Sequence, residues 1–483
     1  MSNDLTALTA TEAVTLLKKG DISPLEMVDA AVKRIEIVDP VINALPIRFF
    51  DDARRAAETY QKLRKRGEVY EGPGALYGLP IAVKDFNDVA GQRTTSGSPI
   101  FEGKVAARSD TTVERLQERG AIPIAKSNVP EFAGAHTFNT LFGVTRNPWN
   151  TGRSAGGSSG GSAAALASGM VWLATGNDLG GSLRIPASFC GVAALRPSVG
   201  RVARPQFMPA FDSLGSEGPM GRTIDDVALM LDAEAGPSRD DPLAYPAPVQ
   251  AFARTTRKAP PNGLKIAYTP NLGLLKIDDE VDTICSSSML RLGANGFHVE
   301  NDTPDFTGAI ECFGVLRAQL FATIYGDLVE EHGNKLPVWV RDNFQKGLDL
   351  KVSDIMAADR HRVELYRRLA TFLARYDLLA FPAVALPPFD ANEKFPTVLA
   401  GQKLKSYIDW MFLTFVTTLT SCPIIAVPCG LTADGLPVSI QILGRPHSDG
   451  LLLQVGRVVE RMSGIAKRLP LQPGSASAVT SGK

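Results

Sequence analysis

Residues 156–186 read GGSSGGSAAALASGMVWLATGNDLGGSLRIP, and the interpretation of the whole chain starts from this tract. Two of its serines, Ser158 and Ser182, lie among glycines. Glycine clusters let the backbone adopt positive φ and bring amide N–H groups close to a ligand. The order Gly180, Gly181, Ser182 can therefore turn successive N–H groups toward one point, as the stabilisation of an oxyanion requires.

Three other interpretations of the tract compete with this one. A solvated linker is disfavoured because alanine and leucine are interleaved with the glycines and a strand-like run follows at 171–174. A phosphate loop needs a lysine directly after its glycines, and none follows here. Residues 156–160 do match the GxSxG elbow of α/β-hydrolase-type serine esterases, and histidines follow later in the chain, so this alternative stays open.

The tract resembles the signature of the amidase signature family at nearly every fixed position. The matching residues are Gly156, Ser158, Ser159, Gly161, Asp178, Gly180, Ser182, Arg184 and Pro186. Further matching segments lie at 78–85, 125–132, 145–149, 218–220 and 427–437. The resemblance covers about residues 10–460, is weaker over 235–400, and is to a free-standing bacterial-type amidase.

The sequence departs from the family pattern at two places. Asn177 stands where many members have threonine, and Ala194 with Arg196 replaces a more usual glycine and lysine. Neither departure touches the residues implied to be catalytic, so both bear on the subfamily and leave the chemistry unchanged.

The resemblance implies a Ser-cisSer-Lys triad of Lys84, Ser158 and Ser182, with a cis peptide bond at Ser158. Ser182 is the expected nucleophile, Ser158 the proton relay and Lys84 the base. A serine hydroxyl is a poor nucleophile until a base takes its proton, and lysine is a base only when neutral. Lys84 follows the apolar run 79–83, so burial is expected to lower its pKa. Lys126 also ends an apolar run and is a competing base.

The remaining site residues are assigned in three groups. The expected oxyanion donors are the N–H groups of Leu179, Gly180, Gly181 and Ser182. The residues expected to support the site are Ser159, Asp178 and Arg184. Phe132, Gly134 and His136 are expected to contact the substrate.

The order of apolar runs, helical patterns and turns predicts an α/β fold. By resemblance it is a single large mixed β-sheet covered by helices on both faces. We expect one amidase domain over 1–470, with an N-terminal helical segment (1–75), a catalytic core (76–230), a variable substrate-side region (231–400) and C-terminal core elements (401–470). A mobile tail is predicted for 471–483.

Residues 410–431 carry no charge and are long enough to span a bilayer. Pro423 and Pro428 would break such a helix. A buried helix over about 405–419 and a buried strand over 423–427 are therefore the favoured interpretation.

Composition argues against several classes of partner. Lysine plus arginine total 51 and aspartate plus glutamate total 51, which gives no reason to expect nucleic acid or a membrane as partner. The five cysteines and five histidines are scattered, so no metal site and no cofactor are expected. Reduced cysteines and the lack of a visible signal peptide favour the cytoplasm. A homodimer stays open.

The sequence thus predicts an amidohydrolase that cleaves a small amide through a seryl acyl-enzyme and releases ammonia or an amine. The main alternative is the glutaminase subunit of a tRNA-dependent amidotransferase. Such subunits typically carry aspartate before a Glu-Phe pair, whereas Pro130 precedes Glu131 and Phe132 here. That difference favours the free-standing enzyme.

Overall fold

A computed structural model describes residues 4–205 and 207–471. Its strands are β1 (Ile47–Arg48), β2 (Pro80–Lys84), β3 (Ile122–Ser127), β4 (Phe138–Asn139), β5 (Gly143–Val144), β6 (Arg146–Asn147), β7 (Asn150–Ser154), β8 (Leu173–Asp178), β9 (Ala193–Arg196), β10 (Ser216–Gly221), β11 (Lys265–Tyr268), β12 (His298–Asn301), β13 (Leu378–Pro382), β14 (Val398–Leu399), β15 (Gln402–Lys403), β16 (Ile424–Leu431) and β17 (Pro437–Gly444). Of the predicted tail, residues 472–483 lie outside the described residues.

The helices in the same ranges are α1 (Ala10–Lys19), α2 (Pro24–Ile42), α3 (Phe50–Lys65), α4 (Thr111–Glu118), α5 (Gly160–Ala167), α6 (Arg184–Cys190), α7 (Ile224–Glu234), α8 (Phe252–Thr255), α9 (Asp279–Gly293), α10 (Ala309–His332), α11 (Val338–Asp349), α12 (Val352–Leu373), α13 (Phe412–Thr418) and α14 (Asp449–Ser463). Short 3₁₀ turns lie at Leu5–Ala7, Pro99–Phe101, Glu131–Ala133, Gly333–Lys335, Asp409–Met411 and Ile465–Lys467.

Eleven of the strands form one mixed sheet in the order β1-β3-β2-β8-β10-β9-β16-β17-β13-β11-β12. Strand β2 runs parallel to both β3 and β8, whereas β10 runs antiparallel to β8 and β9. Strands β16 and β17 form a hairpin around Gly435, whose φ is 78°. The predicted α/β fold with a large mixed sheet is confirmed.

Both faces of the central sheet are covered. Every residue of β2, β8 (Asn177 excepted), β13 and β17 is buried. Because neighbouring residues of a strand point to opposite faces, continuous burial requires packed layers on both sides. Lys84 therefore lies at a strand end inside the packed core, whereas Ser182, in the loop after β8, is only half-buried.

Helix α13 is shorter than the sequence predicts. The uncharged segment 410–431 divides into a 3₁₀ turn, α13 and β16, but α13 begins only at Phe412 instead of 405. Asp409 explains the late start, because its carboxylate accepts the backbone N–H groups of Lys405 and Ser406 at 2.8 Å and holds that segment in a turn.

A different segment, Ala309–Lys335, is long and apolar enough to cross a membrane by length and composition alone. In the structure it comprises α10 and the turn after it. Helix α10 packs against α11, α12 and α13. Its residues Phe313, Leu316 and Phe321 are buried in the protein.

Candidate active site

Lys84 reaches the site because of the direction of its strand. It ends β2, whose neighbour β8 runs parallel and ends at Asp178, so both strands deliver their last residues to the same edge of the sheet. The backbone N–H of Lys84 donates to Thr175 Oγ1 at 2.8 Å, which ties the two strand ends together.

The Lys84 side chain is fully buried and surrounded by hydroxyl and amide oxygens. Its Nζ lies 2.7 Å from Ser158 Oγ, 2.8 Å from Ser159 Oγ and 2.5 Å from Asn177 Oδ1. Burial lowers the pKa of Lys84, and the negative charges of Glu217 and Asp178 offset only part of that effect. The amine is therefore held where it can lose its proton far more readily than an exposed lysine.

The first serine segment enters the site just before α5. The peptide bond between Gly157 and Ser158 is cis, at the position where the resemblance implies it. The backbone N–H of Ser159 donates to the carbonyl oxygen of Ser182 at 3.2 Å, so the two serine segments are directly connected. A Cβ on Gly157 would lie 2.9 Å from the backbone of Ala135, which explains why glycine is needed in this crowded approach.

Asp178 organises the loop that carries Ser182. Its carboxylate accepts the N–H of Gly181 at 2.8 Å and pairs with Arg184 at 2.9 Å. Burial alone would raise the pKa of Asp178, but the charges of Arg184 and Arg196 and the hydrogen bonds hold it well below its usual range. Asp178 and Arg184 thus lie together in the loop that carries Ser182, and their supporting role stays a prediction.

Arg184 connects this loop to the C-terminal part of the sheet. The buried guanidinium donates to Gln441 Oε1 at 2.7 Å, to Thr417 Oγ1 at 3.0 Å and to the carbonyl oxygen of Thr414 at 3.0 Å. Thr414 Oγ1 in turn donates to the carbonyl oxygen of Gly180 at 2.6 Å. The sequence showed no sign of these anchors, since α13 and β17 read as ordinary core elements.

Arg196, one of the two departures from the family pattern, is also part of this buried cluster. It donates to the carbonyl oxygens of Asp178 and Leu214, the latter at 2.8 Å. Burial lowers the pKa of Arg196 to about 10. Arg196 therefore holds the end of β8. Because it lies outside the signature, no sequence pattern indicated this contact.

The predicted oxyanion donors differ in one respect from the observed loop. The N–H of Gly181 is committed to Asp178, as described above. Within residues 4–205 and 207–471, no group accepts a hydrogen bond from the N–H of Leu179, Gly180 or Ser182. Three of the four expected donors are therefore open, while the fourth shapes the loop.

A largely apolar cavity with about 970 Å³ of empty space, part of it open to solvent, contains Ser182. Phe132 and Gly134, two of the three predicted substrate contacts, line it. Residues between 207 and 217, between 313 and 325 and between 407 and 411 also line it. The apolar lining is Phe86, Phe132, Leu179, Phe207, Met208, Phe313, Leu320, Phe321, Ile324, Tyr325, Ile408 and Met411.

His136 and Lys126 do not line the cavity that contains Ser182. Both ring nitrogens of His136 are engaged, Nδ1 with Ser154 Oγ at 2.7 Å and Nε2 with the carbonyl oxygen of Ala391 at 3.1 Å. It lines a neighbouring cavity and not the one that contains Ser182. Lys126 is buried against Thr94 and pairs with Asp85 at 3.7 Å, so the structure does not bring it to the serines.

The acidic side chains described near the site do not form a metal centre. Among the described residues, no group of three or more His, Cys, Asp or Glu side chains has the arrangement of a metal site.

Two polar groups of the site were missed by the sequence analysis, Glu217 and the amide of Asn177. Asn177 was noted only as a departure, and a lone glutamate before Gly218 gives no signal of burial.

Among substitutions that add one methyl group to this loop, Gly181→Ala should reduce activity the most. Gly181 has φ 118°, and an added Cβ would lie 2.3 Å from Thr414 Oγ1. We expect kcat to fall by about 10²-fold as the oxyanion donors move, with a loss of stability of about 1–3 kcal/mol. Gly180→Ala should cost much less in thermal stability, because its Cβ would meet ordinary contacts at 3.6 Å. Wild-type kcat in Gly181→Ala would contradict this account.

Comparisons with known proteins agree with this geometry. The family model for Amidase matches residues 26–453. An acylamidase of Rhodococcus erythropolis is 34% identical, over 96% of this chain and 97% of its own. A glutamyl-tRNA(Gln) amidotransferase subunit of Moorella thermoacetica is 32% identical, over 97% of this chain and 99% of its own. The crystal structure of a bacterial aryl acylamidase of the amidase signature enzymes superimposes with a TM-score of 0.87 at 28% identity, covering 96% of this chain and 98% of that one.

Proposed function

Because the chain belongs to the amidase signature family and is an amide hydrolase, we propose that Ser182 is its nucleophile, Ser158 its proton relay and Lys84 its base. The observation that carries this proposal is the contact of the buried Lys84 Nζ with Ser158 Oγ at 2.7 Å. A neutral lysine at this distance can accept a proton from the hydroxyl of Ser158.

The proposed reaction proceeds by acyl transfer. Ser182 Oγ attacks the amide carbonyl carbon while its proton passes to Ser158, whose own proton passes to Lys84. The proton returns through Ser158 to the leaving nitrogen as the carbon–nitrogen bond breaks. Water then attacks the acyl-enzyme while its proton passes through Ser158 to Lys84. The proton returns through Ser158 to Ser182 Oγ as the acyl–oxygen bond breaks, which releases the carboxylic acid and regenerates Ser182.

The open N–H groups of Leu179, Gly180 and Ser182 are the proposed donors to the oxyanion. One well-placed donor of this kind contributes about 3 kcal/mol to transition-state stabilisation. These N–H groups would not need to reorganise during the reaction, because Asp178 binds the loop at Gly181 and is itself paired with the buried Arg184.

The substrate is proposed to be a small amide that carries an aromatic or aliphatic group. The cavity beside Ser182 supports this proposal, because eleven of its lining residues are phenylalanine, leucine, isoleucine or methionine. Apolar groups gain about 25 cal/mol per Å² when such a surface removes them from water. Two of the similar proteins are named for acylamide or aryl acylamide substrates, which are of this kind.

Glutamine is the rival substrate, because the amidotransferase relative is similar over nearly the whole chain. Free glutamine carries an ammonium group and a carboxylate group. The carboxylates of this cavity that could bind the ammonium group are largely occupied, because Asp178 is paired with Arg184 and Glu217 lies near Lys84. A hexanoyl nitroanilide should therefore exceed glutamine in kcat/KM by about 100-fold or more. Ammonia release from glutamine, with Ser182→Ala as the blank, is the measurement to compare. Equal rates for both substrates would favour the amidotransferase function.

We place the enzyme in the cytoplasm on the evidence of its thiols. All five cysteines are buried and outside disulfide bonds. Proteins of oxidising compartments commonly use their cysteines in disulfides, and cytosolic proteins do not.

A further inference from the structure

Three neighbouring strands bring three polar side chains together in the core. In the order β2-β8-β10, they contribute Lys84, Asn177 and Glu217. Asn177 and Glu217 are register partners, directly opposite each other on β8 and β10. Glu217 is only 3% exposed and Lys84 is fully buried, so each depends on protein partners for its hydrogen bonds.

Asn177 restricts how the amine of Lys84 can be oriented. A neutral amine has two N–H groups and one lone pair, and three oxygens surround it. Asn177 Oδ1 is only an acceptor, so it must take one N–H. If Ser159 Oγ takes the second, the lone pair faces the hydroxyl of Ser158, which is the group it must deprotonate.

Glu217 is placed to orient the Asn177 amide. Its carboxyl group accepts a hydrogen bond from Asn87 Nδ2 at 3.3 Å, and its side chain lies beside that of Asn177 because the two residues are register partners on neighbouring strands. Because Asn177 Oδ1 contacts Lys84 Nζ, the NH₂ group of the amide is left for the carboxyl of Glu217. The carboxyl group is thus one amide away from the amine, inside a buried region of the core.

We propose that Asn177 and Glu217 are positioning residues for the base: Glu217 orients the amide of Asn177, the amide directs the lone pair of Lys84 toward Ser158, and the charge of Glu217 sets the pH at which Lys84 becomes neutral. This inference rests on the proposed role of Lys84 as the base.

The surrounding charges agree with this role. Glu217 and Asp178 are the acidic groups that act on Lys84, and both favour its charged form. Burial raises the pKa of Glu217, against the effect of Lys84 and with a smaller contribution from Asp110. Glu234 lies next in this acidic cluster and faces Glu217 and Arg115. Asp178 is already neutralised by arginines, so Glu217 is the group whose charge can change beside the base.

The test is the pH dependence of kcat/KM in Glu217→Gln, measured with one anilide substrate. Removing the negative charge should move the acid inflection down by about one pH unit, because Lys84 then loses its proton more easily. Asn177→Asp should move the inflection up by a similar amount, because it places a carboxylate beside the amine. Asp226→Asn is the matched control, because this buried acid on α7 accepts hydrogen bonds from the backbone N–H groups of Thr11 and Thr223 and is not among the acidic groups that act on Lys84. Its inflection should equal that of the wild type.

The outcomes separate this inference from the proposed function. A wild-type enzyme without an acid inflection would refute Lys84 as the base. A normal wild-type inflection that is unchanged in both Glu217→Gln and Asn177→Asp would overturn the positioning role alone. Purely structural roles would lower the thermal midpoint of the variants and leave the inflection in place. If Glu217→Gln does not fold, the upward shift in Asn177→Asp decides the question.

Discussion

Ser182→Ala is expected to reduce kcat/KM for an amide by about 10⁵-fold. The substitution removes the oxygen that forms the acyl-enzyme, and Ser182, unlike Ser158 and Ser159, lines the cavity that would hold the substrate. The variant should stay folded, because it loses one hydroxyl and keeps the backbone contact between Ser182 and Ser159. Initial rates with an anilide, together with thermal unfolding, give the measurement.

Ser188→Ala on helix α6 is the matched control. Ser188 is buried and its hydroxyl accepts the backbone N–H of Ser439 at 3.1 Å, so its loss affects packing and not the reaction. Labelling by an activated phosphonate, mapped by mass spectrometry, should modify Ser182 alone. A label on Ser158 would disprove the assignment and support the GxSxG interpretation of residues 156–160.

Lys84→Arg should be as inactive as Lys84→Ala, with a loss of about 10⁴-fold in kcat. Arginine keeps its proton throughout the accessible pH range and cannot act as a base. In the wild type, activity should rise with pH to a plateau, and the inflection should lie well below the value of about 10.4 for a free lysine, because burial lowers the pKa of Lys84. Profiles of kcat/KM from about pH 5 to 10 for all three proteins provide the comparison.

A nitrophenyl ester separates loss of the base from loss of structure. Its leaving group departs without a proton, so Lys84→Ala should lose less activity on the ester than on the corresponding anilide. Equal losses on both substrates would indicate a disordered site. Substantial amidase activity in Lys84→Arg, with the wild-type pH profile, would remove Lys84 from the mechanism.

The sequence was informative where the chemistry is local. The resemblance of residues 156–186 to the amidase signature, together with the apolar run before Lys84, predicted site residues that the structure brings to one edge of the sheet. The order of elements predicted the α/β fold, because apolar runs and helical patterns alternate along the chain. The single large mixed sheet was implied by the resemblance.

The sequence was least informative where a contact joins distant segments. Glu217 precedes a recognisable Gly-Pro-Met run but reads as a surface charge, since glutamate is rarely buried. Its burial follows from the pairing of β10 with β8. His136 was near the tract in sequence, yet its ring is turned to Ser154 and Ala391 by contacts that no local pattern reveals.

The anchoring of Arg184 has a consequence for how the molecule acquires activity. Its contacts with residues of α13 and β17 span sequence separations of 230 to 257 residues. Such contacts have a large loop-closure entropy and contribute to high contact order and slow folding. A nascent chain on the ribosome can therefore contain all three triad residues and still lack an organised nucleophile loop. The enzyme becomes competent only when the final strands of its sheet have been synthesised and docked.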